Sequence, residues 1–541
     1  MSAVSDMHEQ LIDFLESLAS YPHGPTEVRS LQTHISWVFI ASPFVFKVKK
    51  PVNFGFLDFS TLEKRHYFCQ REVELNRRLA PEIYLGVVPI YKTASGFSFD
   101  ADSEIAEYAV KMRELPPGGF LRELLTKGMV GETEINQVVS CLDRFYGCES
   151  PTREIEQWGK PENLKISTDE NFVQVRPVVG NAISPAAFEA ICHYTNQFYV
   201  ANENLFRERI QQHRILDCHG DLHLDHVHFT GETITIFDCI EFNDRLRFID
   251  IANDLAFLGM DFDFEGRRDL GNLLLRNAAL EFRDAGMLKI ANFYKCYRAF
   301  VRGKVESIQT IERETVKPKE HQQHTARYFR LALQYAVAGS EAFVLVVMGR
   351  VGTGKTTVAR QLGCELDWPI FSSDEVRKGL AGVPLTERTP PERRPEVYSQ
   401  KMTEQTYARL IEDGLAAISR DRRSQSLAGH SCVILEATFS SRVNRDFLRE
   451  QCAKANVRVQ VVELDAGLEE IKDRLRARDD TRLGRAEISD ARLEDFEKLN
   501  AVYETPLELE PDLIKLSTTN GVSEAVKAIL LQLAEKQAGA V

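Results

Sequence analysis

Residues 218–242 read CHGDLHLDHVHFTGETITIFDCIEF, and the fold of the N-terminal half turns on how their acids and histidines are spaced. The segment holds Asp221, Asp225 and Asp238 together with His219, His223, His226 and His228. Two readings compete. His219, His223 and His226 can be drawn at i, i+4 and i+7, as on a helical metal face. Gly220 breaks such a helix, however, and ITIFDCIEF behaves as a strand. VHFTGETITIFD instead reads as a hairpin turning at Thr230-Gly231, with Asp221 ahead of it and Asp238 at its end. Two acids set around a hairpin leave half of a phosphoryl-transfer centre as the second reading.

Upstream, THISWVFIA (33–41) and FVFKVKK (44–50) read as two strands on either side of Ser42-Pro43. A helix follows over 60–80, STLEKRHYFCQREVELNRRLA, with Ser60 as N-cap and Glu63 three positions on. LGVVPIYK, FSFDA and EYAVKM continue as strands, and from about 116 to 335 the pattern is mostly helical. A small β-rich lobe therefore precedes a larger helical one. The clearest boundary lies at 336–342, where a charged helical region runs through VAGSE into an apolar strand. Beyond it FVLVVMG, PIFSS, CVILEAT and VRVQVVEL alternate with helices, the rhythm of a parallel α/β sheet. Two domains are expected, 1–335 and 342–541, since 541 residues exceed a single core.

The net charge of −13 argues against bulk attraction to nucleic acid. Ten cysteines are scattered singly, which reads as reduced residues of a cytoplasmic protein and neither a disulfide framework nor a zinc site. MSAVSDMHEQLIDFLESLAS lacks the basic flank and apolar run of a signal peptide, and AFVLVVMG (342–349) is too short to span a bilayer.

GRVGTGKT (349–356) fits the P-loop pattern, follows an apolar strand and opens a helix. Gly349, Gly352 and Gly354 let backbone N–H groups wrap phosphates, and the helix N-terminus at Thr356-Thr357 adds positive potential. Lys355 is expected to reach the β- and γ-phosphates of ATP, and Thr356 the magnesium ion. Asp374 follows a strand end, where it either orients and deprotonates an attacking hydroxyl or caps a helix beginning at Glu375. Arg377 can fork onto a substrate phosphate. Glu436, at the end of SCVILE, stands where magnesium is held. The segment 469–493 gathers Lys472, Arg474, Arg476, Arg478, Arg482 and Arg485, with Arg474 and Arg478 on one helical face. It forms either a lid over the transferring phosphate or a solvated helix balanced by Asp473, Asp479 and Asp480.

On GRVGTGKTT, SSDEVRKGL, VILEATF and the arginine-rich segment, residues 343–535 resemble the P-loop kinases that include polynucleotide kinase, zeta toxin and gluconate kinase. The resemblance implies transfer of the ATP γ-phosphate to a hydroxyl, with Asp374 as base. On HGDLHLDH, IFDCIEF and RFIDIANDLAFL, residues 30–335 resemble the aminoglycoside phosphotransferases and the related choline and homoserine kinases. That implies an α+β, protein-kinase-like bilobal fold in which Asp221 is the catalytic base, Asp238 a metal ligand and Asp254 a brace for the catalytic loop. It also implies Lys47 as the phosphate-binding lysine, with Lys49 on the same face. Glu72 or Glu74 would be its helical partner, and a hinge near 107–115 would receive adenine. Two departures stand out. The family has Asn five residues after Asp221 where this chain has His226, whose imidazole suits softer metals than magnesium, leaving Asp225 as a substitute ligand. ISWVFIASPFVF also carries no glycine-rich loop.

The expected function is ATP- and magnesium-dependent phosphotransfer to a small-molecule hydroxyl, with two ATP sites. A polynucleotide 5′-hydroxyl kinase is a second reading, motivated by Asp374, Arg377 and the cation cluster. In a third, prompted by His226, the N-terminal half is a non-catalytic nucleotide-sensing or partner-binding module that regulates the P-loop domain.

Overall fold

The computed structural model describes residues 2–540 apart from 56, 95, 102, 313–317, 424–430, 480–488 and 508–509. It forms two compact units, Met1–Leu164 with Leu205–Asp261 and Leu273–Leu288, and Lys165–Asn204 with Phe262–Asn272 and Lys289–Val541.

In the first unit, β1 (Arg29–Gln32), β2 (Ser36–Ala41), β3 (Phe44–Lys49), β4 (Tyr84–Thr93), β5 (Gly96–Ser98) and β6 (Ile105–Arg113) form one sheet in the order β1-β2-β3-β6-β4-β5. All its pairings are antiparallel. Alternation along β3 decides what each face does. Phe46 and Val48 join Phe39, Ile90 and Ala109 under Leu11 and Leu15 of the N-terminal helix. Lys47 and Lys49 point to the opposite face, where Val110 and Met112 pack with Cys69 and Val73 of the helix Leu62–Asn76. The helix starts one residue later than expected. Thr61 is its N-cap, accepting from the Lys64 N–H, while the Ser60 hydroxyl donates to Asp58 instead. β1 escaped notice because all four of its residues are exposed and carry no apolar alternation.

Later in the same unit, β7 (Ile215–Asp217) pairs with β10 (Phe248–Asp250), and β8 (Val227–Thr230) with β9 (Thr233–Ile236). The second pair is the hairpin expected at Thr230-Gly231, and Gly231 takes the positive φ of 61° that its turn requires.

The second unit is built on β11 (Phe343–Gly349), β12 (Ile370–Ser372), β13 (Cys432–Glu436), β14 (Arg458–Asp465) and β15 (Leu513–Ser517). They form a sheet in the order β12-β13-β11-β14-β15, with every pairing parallel. Central β11 is buried at all seven positions, which is why FVLVVMG is apolar without alternation.

The compact units do not follow the 336–342 boundary. The helices Pro185–Ala201 and Pro318–Ala338 pack on Val522–Ala538. Asn202 donates to the Ala538 carbonyl at 2.8 Å, and Lys527 pairs with Glu189 at 2.6 Å. The reason lies in Val522–Ala538 itself, which buries Ala525, Val526, Ile529, Leu530, Leu533 and Ala534. That apolar surface is too broad for one layer and takes a second set of helices.

Candidate functional site

Each unit holds a constellation of charged residues that includes the candidate site residues. In the first, β3 supplies Lys47 and Lys49, the helix Leu62–Asn76 supplies Glu72, and the segment after β9 supplies Asp238 and Glu241. Lys47 Nζ lies 2.5 Å from Asp238 Oδ1 and 2.9 Å from Glu72 Oε1. Lys49 Nζ lies 2.6 Å from Glu72 Oε2 and donates also to Glu241. Burial alone would lower the pKa of Lys47, but the carboxylates of Asp238, Glu72 and Glu241 outweigh it and hold the ammonium well above its ordinary value. Burial of Asp238 is likewise overcome by Lys47, which holds that carboxyl below the usual range. Asp238 has a left-handed φ of 64°, and its N–H donates to the Tyr84 hydroxyl at 3.2 Å. Such a conformation in a non-glycine residue costs energy and recurs at functional sites.

The loop ahead of the hairpin is fixed from below. Asp254 accepts the N–H groups of His219 and Gly220, each at 2.9 Å, and the Tyr146 hydroxyl at 2.9 Å. Gly220 has φ 84°, and a Cβ there would stand 2.8 Å from the Leu246 carbonyl. Asp254→Ala would leave two buried N–H groups unpaired and is expected to cost at least ~2 kcal/mol, read by urea unfolding. No loss would remove Asp254 as the brace.

The four histidines of 218–242 separate into two pairs. His219 Nε2–H donates to the Phe237 carbonyl at 2.9 Å and His228 Nε2–H to that of Pro116 at 2.8 Å, and both rings are buried. His223 and His226 face each other with ring centroids 3.8 Å apart. His226 lies 3.6 Å from the Asp221 carboxylate through Nδ1 and 3.5 Å from that of Asp238 through Nε2. Burial, helped by His223, pushes the His226 imidazole down to about 4. Asp225 binds Arg122 at 2.6 Å and lies 3.4 Å from His223 Nδ1. Glu74 pairs with Arg71 at the surface, whereas Glu72 meets both lysines.

In the second unit, a cavity of about 660 Å³ opens at the carboxyl end of β11. Gly352, Gly354, Lys355, Thr356, Asp374, Arg377 and Glu436 all line it. Gly349 and Thr357 flank it within the same motif. Gly349 has φ 144°, and a Cβ there would meet the Leu464 carbonyl at 2.2 Å. Gly349→Ala must therefore displace β14 and is expected to cost about 1–3 kcal/mol, read by thermal melting. An unchanged melting temperature would contradict that close approach.

Glu436 is buried and accepts from the Ser372 hydroxyl at 2.8 Å, with the Thr356 hydroxyl a further partner. Burial raises its pKa, Lys355 opposes the rise, and Asp374 adds to it, so the three charges share one space. Lys355 Nζ donates to the Arg350 carbonyl at 2.9 Å. The helix Ser373–Ala381 begins ahead of Asp374 with Ser372 as its N-cap, so Asp374 is not the cap. Among the described residues Asp374 accepts no hydrogen bond, and its carboxylate faces the cavity. Arg377 is buried, donating to the Val397 carbonyl at 2.9 Å and the Thr403 hydroxyl at 3.2 Å.

Arg474 is not among the lining residues. It donates to the Gly352 carbonyl at 3.4 Å and to Thr518 Oγ1 at 2.9 Å, and pairs with Glu470 at 2.5 Å, against the outside of the phosphate loop. The Arg478 side chain, and all of Arg482 and Arg485, lie outside the described residues. Sequence reasoning missed Asp490, which lines the cavity and accepts from Thr389 and from the Tyr398 hydroxyl at 2.8 Å. It also missed Glu241, whose only signal was its place three residues after Asp238.

The family model described as "AAA domain" matches residues 344–506. "Uncharacterized protein Rv2004c" of Mycobacterium tuberculosis is 31% identical over 447 residues, covering 83% of this chain and 85% of that protein. A "Gluconokinase" of Gluconobacter oxydans is 33% identical over 141 residues, 25% of this chain and 65% of that enzyme. A solved choline/ethanolamine kinase family protein from Mesorhizobium loti is 15% identical with a TM-score of 0.36, covering 60% of this chain and 94% of that one. No helix among the described residues is long and apolar enough to cross a membrane.

Proposed function

We propose, since this chain belongs to the family of the mycobacterial protein Rv2004c, that it is an ATP-dependent phosphotransferase joining a kinase-like domain (1–335) to a P-loop kinase domain (342–541). The observation that carries the reading is the convergence of Lys355, Thr356, Glu436 and an unbonded Asp374 carboxylate on one cavity. Backbone N–H groups of the glycine loop would cradle the phosphates of ATP, and Lys355 would balance charge on the transferring group. Thr356 and Glu436 would hold magnesium, which supplies charge neutralisation along the β- and γ-phosphates. Asp374 would take the acceptor's hydroxyl proton as the acceptor oxygen bonds to phosphorus and ADP leaves. Arg377, buried and without a carboxylate partner among the described residues, would orient an anionic group. In the kinase-like domain Asp221 would play the part of Asp374, and Lys47, paired with Glu72, the part of Lys355. Both sites would work in the cytoplasm, in keeping with ten free cysteines.

The test uses the full chain with γ-labelled ATP, a library of hydroxyl-bearing metabolites and a 5′-hydroxyl oligonucleotide. Wild type is compared with Lys355→Ala and Asp221→Asn. A labelled small molecule lost in Lys355→Ala is expected. Label on the oligonucleotide alone would replace a small acceptor with a nucleic-acid one. ATP consumption equal in all three proteins would overturn the reading.

A further inference from the structure

The two oxygens of Asp238 face different partners. Oδ1 meets Lys47 Nζ at 2.5 Å, and Oδ2 faces His226 Nε2 at 3.5 Å. The nature of that second contact follows from the other ring nitrogen. His226 Nδ1 lies 2.9 Å from the Asp221 carbonyl oxygen, which can only accept, so Nδ1 carries the proton. Nε2 is then the ring nitrogen left to act as a donor atom when the imidazole binds a metal, and it faces a carboxylate oxygen. Two acceptors facing each other in a half-buried place invite a cation between them. The separation suits one, because donors about 2.1 Å from a shared ion stand roughly 3.0–3.4 Å apart in octahedral to tetrahedral geometry. Closing from 3.5 Å takes a few tenths of an ångström. Beside it, one donor atom each from Asp221, His223 and His226 lie within 4.8 Å of one another, a group that does not include Asp238. The Asp221 carbonyl also fixes the ring's tautomer and orientation, as outer-shell partners of metal-bound histidines do.

We infer that His226 Nε2 and the Asp238 carboxylate form a mixed nitrogen–oxygen site for a divalent first-row transition cation of the manganese-to-zinc class, in preference to magnesium. Imidazole binds such ions well, and affinity rises from manganese towards zinc, whereas magnesium favours oxygen ligands alone. Lys47 stays on Oδ1 and leaves Oδ2 to the cation. The inference deepens the proposed kinase-like site and rests on it for the ion's role at the phosphates, but the ion's binding is tested without nucleotide.

The probe is manganese alone, added to the full chain and read by pulsed electron paramagnetic resonance, which detects nitrogen-14 on the ion. The oxygen-only set Thr356–Glu436 gives no such modulation. Nitrogen modulation is expected in the wild type and its loss in His226→Asn, with circular dichroism confirming that this variant is folded. Zinc should displace the manganese near stoichiometry and magnesium only in large excess. Asp238→Asn should release the ion from the same site. Modulation that survives His226→Asn, bound manganese without modulation, or magnesium competing equally would overturn the inference. Phosphoryl transfer is measured on the same samples. Its absence alongside normal nitrogen modulation would sink the proposed activity of that domain and leave the metal site standing.

Discussion

Replacing Lys355 with alanine is expected to lower ATP turnover at the P-loop site by roughly 100- to 1,000-fold, the scale seen when one preorganised donor to a developing anion is removed. The ammonium is held at the mouth of the glycine loop by the Arg350 carbonyl, 2.9 Å away, and shares its surroundings with Glu436 and Asp374. Charge on the transferring phosphoryl group would be met there by the one buried lysine of the motif, which is 9% exposed. The variant also leaves Glu436 without the cation that opposes its rise in pKa. The magnesium concentration needed for half-maximal rate should therefore rise as the rate falls. Steady-state ATP hydrolysis or acceptor labelling at saturating nucleotide measures the effect, with Asp374→Asn as the companion, expected to lose roughly 100- to 10,000-fold as a missing general base does. A Lys355→Ala enzyme within threefold of wild type would remove this lysine from the chemistry.

The largest effect on stability is expected from Glu72→Ala. Glu72 has no exposed surface and receives Lys47 on one oxygen and Lys49 on the other. Lys49 is itself fully buried, with its ammonium 4.8 Å from the centre of the Phe59 ring. Removing the carboxylate leaves the two lysines with Asp238 and Glu241 and strips the cluster of one of its three negative charges. Breaking a buried pair on one side costs about 3–5 kcal/mol. For a unit of this size that corresponds to a fall in its melting temperature of roughly 6–20 °C. Glu72→Gln keeps shape and hydrogen bonding and should fall between the two. A melting temperature unchanged by Glu72→Ala would mean that Glu241 and Asp238 satisfy both lysines unaided.

Much of this was legible because it is local. The glycine loop, its preceding strand and its following helix occupy one run of residues, so spacing alone announces them. The same holds for the hairpin, whose turn and alternation lie within eleven residues of Asp238. Lys47 and Lys49 could be placed on one face by strand periodicity, but which acid each would meet could not. Lys47 finds Asp238 at a separation of 191 residues and Lys49 finds Glu241 at 192. No local pattern carries such pairings, and so Glu241 passed unremarked in the middle of a segment read for other acids. Asp490 was missed for the same reason, its partner Thr389 lying 101 residues upstream. Ser60 was mistaken for the cap because Thr61 offers the same oxygen one position on, and only the demand of Asp58 for a hydroxyl decides between them.

The interleaving of the compact units sets an order of events at the ribosome. Asn202, at the end of the helix Pro185–Ala201, is 336 residues from the Ala538 carbonyl it binds. At ~5–20 residues per second, that interval is roughly 17–67 s of synthesis. During it Pro185–Ala201 is made and the sheet of the P-loop domain is assembled, while the helix that packs on both is still unwritten. The cavity can form its walls early, but the layer behind them closes only once Val522–Ala538 has been made. A ribosome stalled before residue 522 would therefore hold a polypeptide with every P-loop residue already translated and an open hydrophobic seam beside them.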